Sequence, residues 1–475
     1  MGTKRDFDFP TSIAPSDGAE ESASDSCGHD LVLLDQLTEE KMLLRKLDRR
    51  ILPITCFLYL FAFLDRSNLG NARLQGLPED ILGGDPTGVL FDWLVSVFFI
   101  PYILCQVPCT VISKYYNPRT WIGCSAILWG LCSTMMSTAN NFATLLVARV
   151  CLGVFEAAFG PSVVLYFSFY YTKNEYGTRV ASWFGFAAVA SAFGGLLAYA
   201  IQHAKVSIAK WRLLFIMEGV PTILLGVLCL FILPGRPEST EFLTPAERKL
   251  AADRMNRGTG GDVGVVVNHK HVIAAFLDWR IYVAGVIYFG LNCALGSLSA
   301  FLPTIIATMG HSSALSQLLT VPPYAVAGVI LLIASYTSDR IQSRGFMIVA
   351  GCTLGGIGYM ILLGVTHDQH VRYFATFCIA AGTYASIGLV LAWFAHNLGS
   401  ETKRATGMPL FGAIGQTGSI LGSHLYPLSA GPTYSYISYR LENKRRNEEF
   451  GEPDLDERVD TSELADKAPG FRYTP

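Results

Sequence analysis

Charge is scarce in this sequence. Of its 475 residues, 16% are Asp, Glu, Lys or Arg, where soluble domains carry about 25%. The hydrophobic fraction is 51% and the mean hydropathy is +0.37. There is no basic stripe, which argues against nucleic acid as a partner. There is no disulfide framework either: ten of the 11 cysteines lie inside apolar runs, and only Cys27 sits in a polar tail. No C-x-x-C and no zinc-type Cys/His spacing occurs. Cys105 and Cys109 share a helix face, and they read as small buried hydrophobes. Neither a metal nor another cofactor is expected. The sequence lacks G-x-S-x-G, a P-loop, H-E-x-x-H and a G-x-G-x-x-G after a strand, so no enzyme is expected. No soluble nucleotide domain fits, which excludes an ATP-driven pump. The first 50 residues are acidic and polar with no apolar signal segment, so the first apolar span must direct insertion. No N-x-S/T sequon marks a topology.

What is present is a series of long, weakly charged runs. They predict an all-α membrane protein with eleven spans, at about 51–72, 89–113, 120–139, 142–170, 179–201, 212–233, 279–307, 314–338, 346–365, 371–396 and 405–428. Each matches the ~20 residues needed to cross ~30 Å of hydrocarbon. One long connection, 234–278, separates a six-span half (51–233) from a five-span half (279–428). Polar tails of 1–50 and 429–475 flank them. Lys41, Arg45, Lys46, Arg49, Arg50, Lys114, Arg119, Lys173, Arg179, Arg340, Arg344, Lys403 and Arg404 fall on one side. Only Arg73, Lys205, Lys210, Arg212 and Arg372 fall on the other. The first side is therefore expected to be cytoplasmic, with the N-terminus inside.

Local signals refine this plan. Thr244-Pro245-Ala246-Glu247 is a capping box with Pro at the first helical position, and it predicts a short helix in the long loop. Residues 31–50 read as an amphipathic interfacial helix feeding the first span; a solvated charged helix is the plainer alternative. GTRVASWFGFAAVASAFGG (177–195) and TKRATGMPLFGAIGQTGSILG (402–422) resemble each other faintly, each rich in small residues that let helices approach closely. They point to a duplicated bundle. After the eleventh span, residues 429–439 are too short and polar to cross. A basic tail would then lie outside, against the charge bias, and a missing twelfth span explains both facts.

A charge at the bilayer centre costs about 2.5–3.5 kcal/mol on insertion scales, so it needs a partner or a polar cavity. The first half places Asp65, Arg66, Asp92, Arg149, Glu156 and Glu218 in or at the ends of its spans. Arg149 and Glu156 are seven residues apart and share a helix face. Asp65 and Arg66 are adjacent and point about 100° apart, which suits one side chain in a cavity and the other toward a neighbouring helix. The set reads as a proton and anion site: carboxylates balanced between desolvation and nearby arginines, and a planar Arg fork for a substrate carboxylate. Structural ion pairs are the alternative, although buried pairs stabilise poorly on their own. The second half offers mainly neutral groups: Asn292, Tyr324, Trp393, His396, Asn397 and Gln416. His396 reads as a boundary residue. Gln416 reads either as a cavity group or as a helix–helix hydrogen bond.

SDRIQSRG (338–345) resembles the inner-loop signature of the major facilitator superfamily; the equivalent SKYYNPRTW is degenerate. FLDRSNLGNARLQGL (63–77), ARVCLGVFEAAFGPS (148–162), WRLLFIMEGVPTILLG (211–226), LPGRPESTEFLTPAERKLAADR (233–254), FLPTIIATMGHSSALSQLLTVPPYA (301–325) and GSHLYP (422–427) resemble the fungal anion:cation symporters of the allantoate permease-like kind. That resemblance covers about residues 35–450. It implies two pseudo-symmetric helical bundles of six and about five spans, alternating access about a central cavity, and proton-coupled uptake of a small organic anion or vitamin-like carboxylate. It implies Asp65 and Glu156 as proton carriers, Arg66 as substrate anchor and Arg149 as its electrostatic partner. Trp393, Gln416 and Asn292 would line the facing wall, and Asp339, Arg340 and Arg344 would serve the inner loop. Gln416 stands where the family pattern has Asn.

The partners expected are the anion, protons and the lipid bilayer, with the chain as a monomer in the plasma membrane and no nucleic acid. Two rival readings remain open at this point. One is an exporter of a fungal metabolite, which the missing G-P-x-G-G run in 185–195 disfavours. The other is a sensor or non-transporting variant, which the missing span favours.

Overall fold

The computed structural model describes residues 17–424, apart from 86–87, 238–239, 259–268, 342, 366–367 and 399–400. The expected twelfth-span gap at 429–440, the C-terminal tail and the side chains of Asp339 and His396 lie outside the described residues. The chain divides into two compact units, 1–49 and 50–475. Of the first, residues 17–49 are the opening part of α1 (Asp17–Arg73). The rest of the description concerns the second unit. The described residues are helical, and no strand occurs among them.

Three expected spans arrive as pairs of helices, and each interruption falls where a proline dictates it. After the short α2 (Leu77–Ile81) come α3 (Val89–Ser96) and α4 (Phe99–Ser113). They part at residues 97–98, where the ring of Pro101 meets the Val97 carbonyl four residues back. α5 (Pro118–Met136) starts with Asn117 as N-cap and Pro118 at the first position. α6 (Phe142–Ala157) ends four residues before Pro161, and α7 (Gly160–Tyr170) resumes. α8 (Lys173–His203), α9 (Lys210–Ile232), α10 (Pro245–Gly258), α11 (His269–Leu277) and α12 (Trp279–Ala307) follow. α13 (Ser313–Leu318) and α14 (Val321–Ile341) part at 319–320, four residues before Pro323. α15 (Arg344–Gly364), α16 (Gln369–Asn397) and α17 (Glu401–Ser423) complete the bundle. The capping box at Thr244 forms as read: its N–H donates to Glu247 Oε2 (2.8 Å), and the Glu247 N–H donates to Thr244 Oγ1 (3.3 Å).

Eight helical stretches among the described residues are long and apolar enough to cross a membrane. The other three expected spans, 51–72, 120–139 and 405–428, fall on α1, α5 and α17, which are diluted by Asp65-Arg66, by hydroxyls and by glycine. The outer faces are apolar and exposed, as at Leu104, Phe231, Val286 and Met360, where lipid would cover them.

α12 packs extensively on α17, α5 on α9 and α15 on α16. α8 and α17, the two spans whose sequences resemble each other, hold mirrored places. α8 packs on α13, α14 and α16 of the second half, while α17 packs on α3, α4 and α7 of the first. Small residues permit this. A Cβ at Gly195 would sit 2.7 Å from the Gln317 carbonyl oxygen, and one at Gly412 would sit 2.9 Å from Gln106 Oε1 of α4.

Candidate functional site

α1 carries the site into the middle of the bundle. Asp65 and Arg66 are neighbours on it and serve different surroundings. Asp65 is fully buried and turns to α5, where Ser133 Oγ donates to its Oδ1. Arg66 turns to the interior cavities and to α6. Its Nε donates to Glu156 Oε1 at 2.6 Å, and Nη2 stands 2.6 Å from the same oxygen. The guanidinium also lies over the Tyr102 ring, 4.6 Å from its centroid, and 5.5 Å from that of Phe98. Ring faces attract a desolvated cation, so Arg66 is oriented from two sides.

Arg149, one helical face with Glu156, is 1% exposed. Its Nη1 donates to the backbone carbonyl of Asp65 at 3.2 Å. The resemblance implied Arg149 as the partner of Arg66. The structure pairs Arg66 with Glu156 and sets Arg149 against α1 at Asp65, within electrostatic reach of Asp65, Glu156 and Glu218. Two guanidiniums repel, so the carboxylate on the next turns of α6 takes the contact.

Two cavities meet at Arg66. The first, about 60 Å³, lies toward the end of α1 and is also lined by Ser67, Gly70, Arg149, Asn292 and Ser419. The second, about 80 Å³, lies toward α4 and α7 and is lined by Tyr102, Gln106, Gly160 and Met408. Each has room for a few waters. Tyr59, Arg66, Phe184, Tyr288 and Gln416 line both, so they form the partition. The two halves also touch each other directly. At one end α1 and α12 touch at Gly70, where a Cβ would sit 2.7 Å from the Ala300 carbonyl oxygen. There Gln317 Nε2 donates to the Asn71 carbonyl at 3.3 Å. At the other end Lys114 Nζ donates to Thr402 Oγ1 at 3.2 Å.

The remaining expected residues divide. Gln416 faces both cavities and accepts from Ser419 Oγ at 3.2 Å; Asn292 lines the first and donates to the Tyr288 carbonyl at 2.9 Å. Trp393 is 39% exposed and lines neither cavity. Arg340 is exposed and donates to Tyr336 Oη at 2.7 Å. Arg344 lies against Gly177 at the start of α8 and lines a third cavity. The sequence reading did not single out Tyr59, Tyr102, Gln106, Tyr288 or Ser133. A signal for some was present: Tyr59 lies two turns before Arg66, and Tyr288 one turn before Asn292.

The Major Facilitator Superfamily model matches residues 55–423. The chain belongs to the Major Facilitator Superfamily. This superfamily member is a multi-pass integral membrane protein, and its curated relatives are transporters. It is 34% identical over 463 residues to the major facilitator-type transporter hxnP of Emericella nidulans, covering 91% of this chain and 93% of that one. It is 36% identical over 408 residues to the MFS-type transporter cnsO of Penicillium expansum, covering 83% and 78%. Among solved structures, the partially occluded, inward-open xylose transporter XylE from E. coli aligns with a TM-score of 0.64 at 14% identity, covering 82% and 93%. A bacterial homologue of the human lysosomal transporter Spinster aligns at 0.61 and 16% identity, covering 84% of each chain. These two likenesses show the fold.

Proposed function

We propose that this superfamily member is a proton-coupled symporter of a small organic anion, of the allantoate permease-like kind, working by alternating access. The observation that carries the reading is the position of Arg66. It forms the partition between two cavities and is held there by Glu156. A substrate carboxylate entering either cavity meets a guanidinium fork suited to bidentate binding. To take it, the substrate competes with Glu156. Once displaced, Glu156 is a buried carboxylate without its cation, and such a group takes up a proton. Anion and proton binding then favour each other, and by linkage the effect is reciprocal. Asp65, beside Ser133 and Arg149, is the second proton carrier. In this reading the N-terminus is cytoplasmic, in keeping with the Lys and Arg distribution, and the protein works as an importer of the plasma membrane.

The test is uptake of a panel of labelled small carboxylates into cells or proteoliposomes under an imposed proton gradient. External acid is expected to drive accumulation of at least one of them. That drive should be lost in Glu156→Gln and Asp65→Asn proteins that still reach the membrane. Accumulation lowered by the protein would instead indicate export. No flux across the panel under either gradient would overturn the transport reading.

A further inference from the structure

The buried charges around Arg66 do not balance. Asp65, Glu156 and Glu218 are three carboxylates, each fully buried, and among the described residues Arg66 and Arg149 are the cations that act on them. With every group ionised, one negative charge would stay uncompensated inside the membrane. Such a charge is removed by protonation rather than tolerated.

Each of the three carboxylates keeps one oxygen, Asp65 Oδ2, Glu156 Oε2 and Glu218 Oε1, with no hydrogen-bond partner among the described residues, so the nearby cations decide where the proton sits. Glu156 has the Arg66 fork at 2.6 Å. Asp65 accepts from Ser133 and lies beside Arg149. Glu218, on α9, has the weakest claim on a cation: its one described side-chain partner is the amide of Asn68, whose Nδ2 donates to Glu218 Oε2. The other titratable groups facing it are Asp65 of α1, a like charge, and Arg149 of α6, which lies nearer Asp65. Two acceptors on this same pair of side chains, Glu218 Oε1 and Asn68 Oδ1, have no hydrogen-bond partner among the described residues. Both are buried, and a buried acceptor left unpaired is costly. Neither can serve the other while both are bare oxygens. A proton on Oε1 makes Glu218 a donor and Asn68 Oδ1 its natural acceptor, closing an acid–amide pair with two hydrogen bonds in place of one.

We infer that Glu218 is a resident carboxylic acid, a proton-holding site paired with Asn68, which stays protonated while Asp65 and Glu156 answer to the two arginines. It neutralises the interior of the first half and holds α9 to α1 behind the cavity. The described partner of Glu218 is Asn68 and not Arg66, so its proton is not the one taken up when an anion displaces Glu156. The inference goes beyond the transport reading and stands whether or not that reading does.

The experiment is infrared spectroscopy of the purified full-length chain in lipid, titrated between about pH 5 and 8. The wild type should show a carboxylic-acid C=O stretch that persists across the range. Glu218→Gln, which keeps the shape and the neutral charge, should fold and lose that band. Asn68→Leu should keep the band and shift it toward the position of an acid without a hydrogen-bond partner. An unchanged band in Glu218→Gln, or none at the alkaline end in the wild type, would overturn the inference. So would a Glu218→Gln protein that fails to fold, because the amide reproduces every feature claimed for the acid. No substrate is needed, so failure here and failure of the symport reading are separate results.

Discussion

The two halves of the bundle build the walls of the site from different chemistry. The first half contributes charge: Arg66 and Glu156 in contact, Arg149 and Asp65 on adjacent helices, and Glu218 behind them. The second contributes neutral groups, with Asn292 and Gln416 beside Tyr288. The pattern extends to the joints. The ion pairs Arg66–Glu156 and Arg212–Asp80 lie within the first half, and Lys403–Asp278 ties the second half to the last residue of the long connection. Among the described residues, hydrogen bonds that cross between halves include Ser191–Tyr384 (2.7 Å), Ser96–Ser423 (2.7 Å) and Lys114–Thr402 (3.2 Å). A buried ion pair costs about 3–5 kcal/mol to break, whereas a neutral hydrogen bond contributes about 1 kcal/mol. In the proposed mechanism, strong contacts inside a half and weaker ones between halves would let the halves rock as units. The difference would then separate the coupling chemistry from the moving joint.

Removing the cation of the charged wall should have the largest effect. Arg66→Ala leaves Glu156 buried and unpaired, so we expect a loss of about 3–5 kcal/mol in unfolding stability and no transport. Arg66→Ala combined with Glu156→Gln should recover most of the stability and none of the transport, as thermal unfolding and uptake would report. Next in size is the close approach of the two halves' small residues. Gly195→Leu is expected to cost at least about 1–3 kcal/mol from overpacking and to hold α8 away from α13, read as a fall in melting temperature and in turnover.

On the neutral wall the effects should be smaller. Gln416→Ala is expected to weaken anion binding by about 1 kcal/mol, a rise in KM with little change in the response to pH. A matching pH effect would show that the second half also carries coupling. At the joint, a double-mutant cycle on Ser191→Ala and Tyr384→Phe should give about 0.5–1.5 kcal/mol. A coupling several times larger would break the contrast between joint and wall.

The smallest effect is at the membrane edge. Lys403 donates to Asp278 at 2.6 Å and holds that carboxyl below the usual carboxylate range. Its stabilisation is therefore fully present above about pH 4, the unfolded value, and is lost as pH falls through the lower folded value. Asp278→Asn should lower the melting temperature slightly at neutral pH, by an amount worth up to about 1 kcal/mol, and leave it unchanged in strong acid.

Much of the fold was legible because its signals are local. Apolar runs mark the spans, and Pro101, Pro161 and Pro323 explain breaks that hydropathy alone smooths over. The box at Thr244 is written in four consecutive residues. The charged wall was legible for a different reason: in an apolar chain each buried Asp, Glu or Arg stands out, and Arg66 and Glu156 are conspicuous without a structure. Their pairing was not, because they are 90 residues apart and either arginine could have met either acid. The neutral wall was the least readable. Tyr59, Tyr102 and Tyr288 have the same residue type as tyrosines buried elsewhere in the core, and only the fold turns them to Arg66. Trp393 shows the converse, an amphipathic residue near the site in sequence and 39% exposed in space.

The central claim is that an anion displaces Glu156 from Arg66 and that Glu156 then takes a proton. Its most direct test is proton uptake on binding, followed by calorimetry in buffers of different ionisation enthalpy, using purified protein and the carboxylate identified by the uptake panel. The account predicts net proton uptake by the wild type near neutral pH and little or none by Glu156→Gln, which should still bind the anion. Equal uptake by both proteins, or binding by the wild type with no proton uptake at any pH, would contradict it.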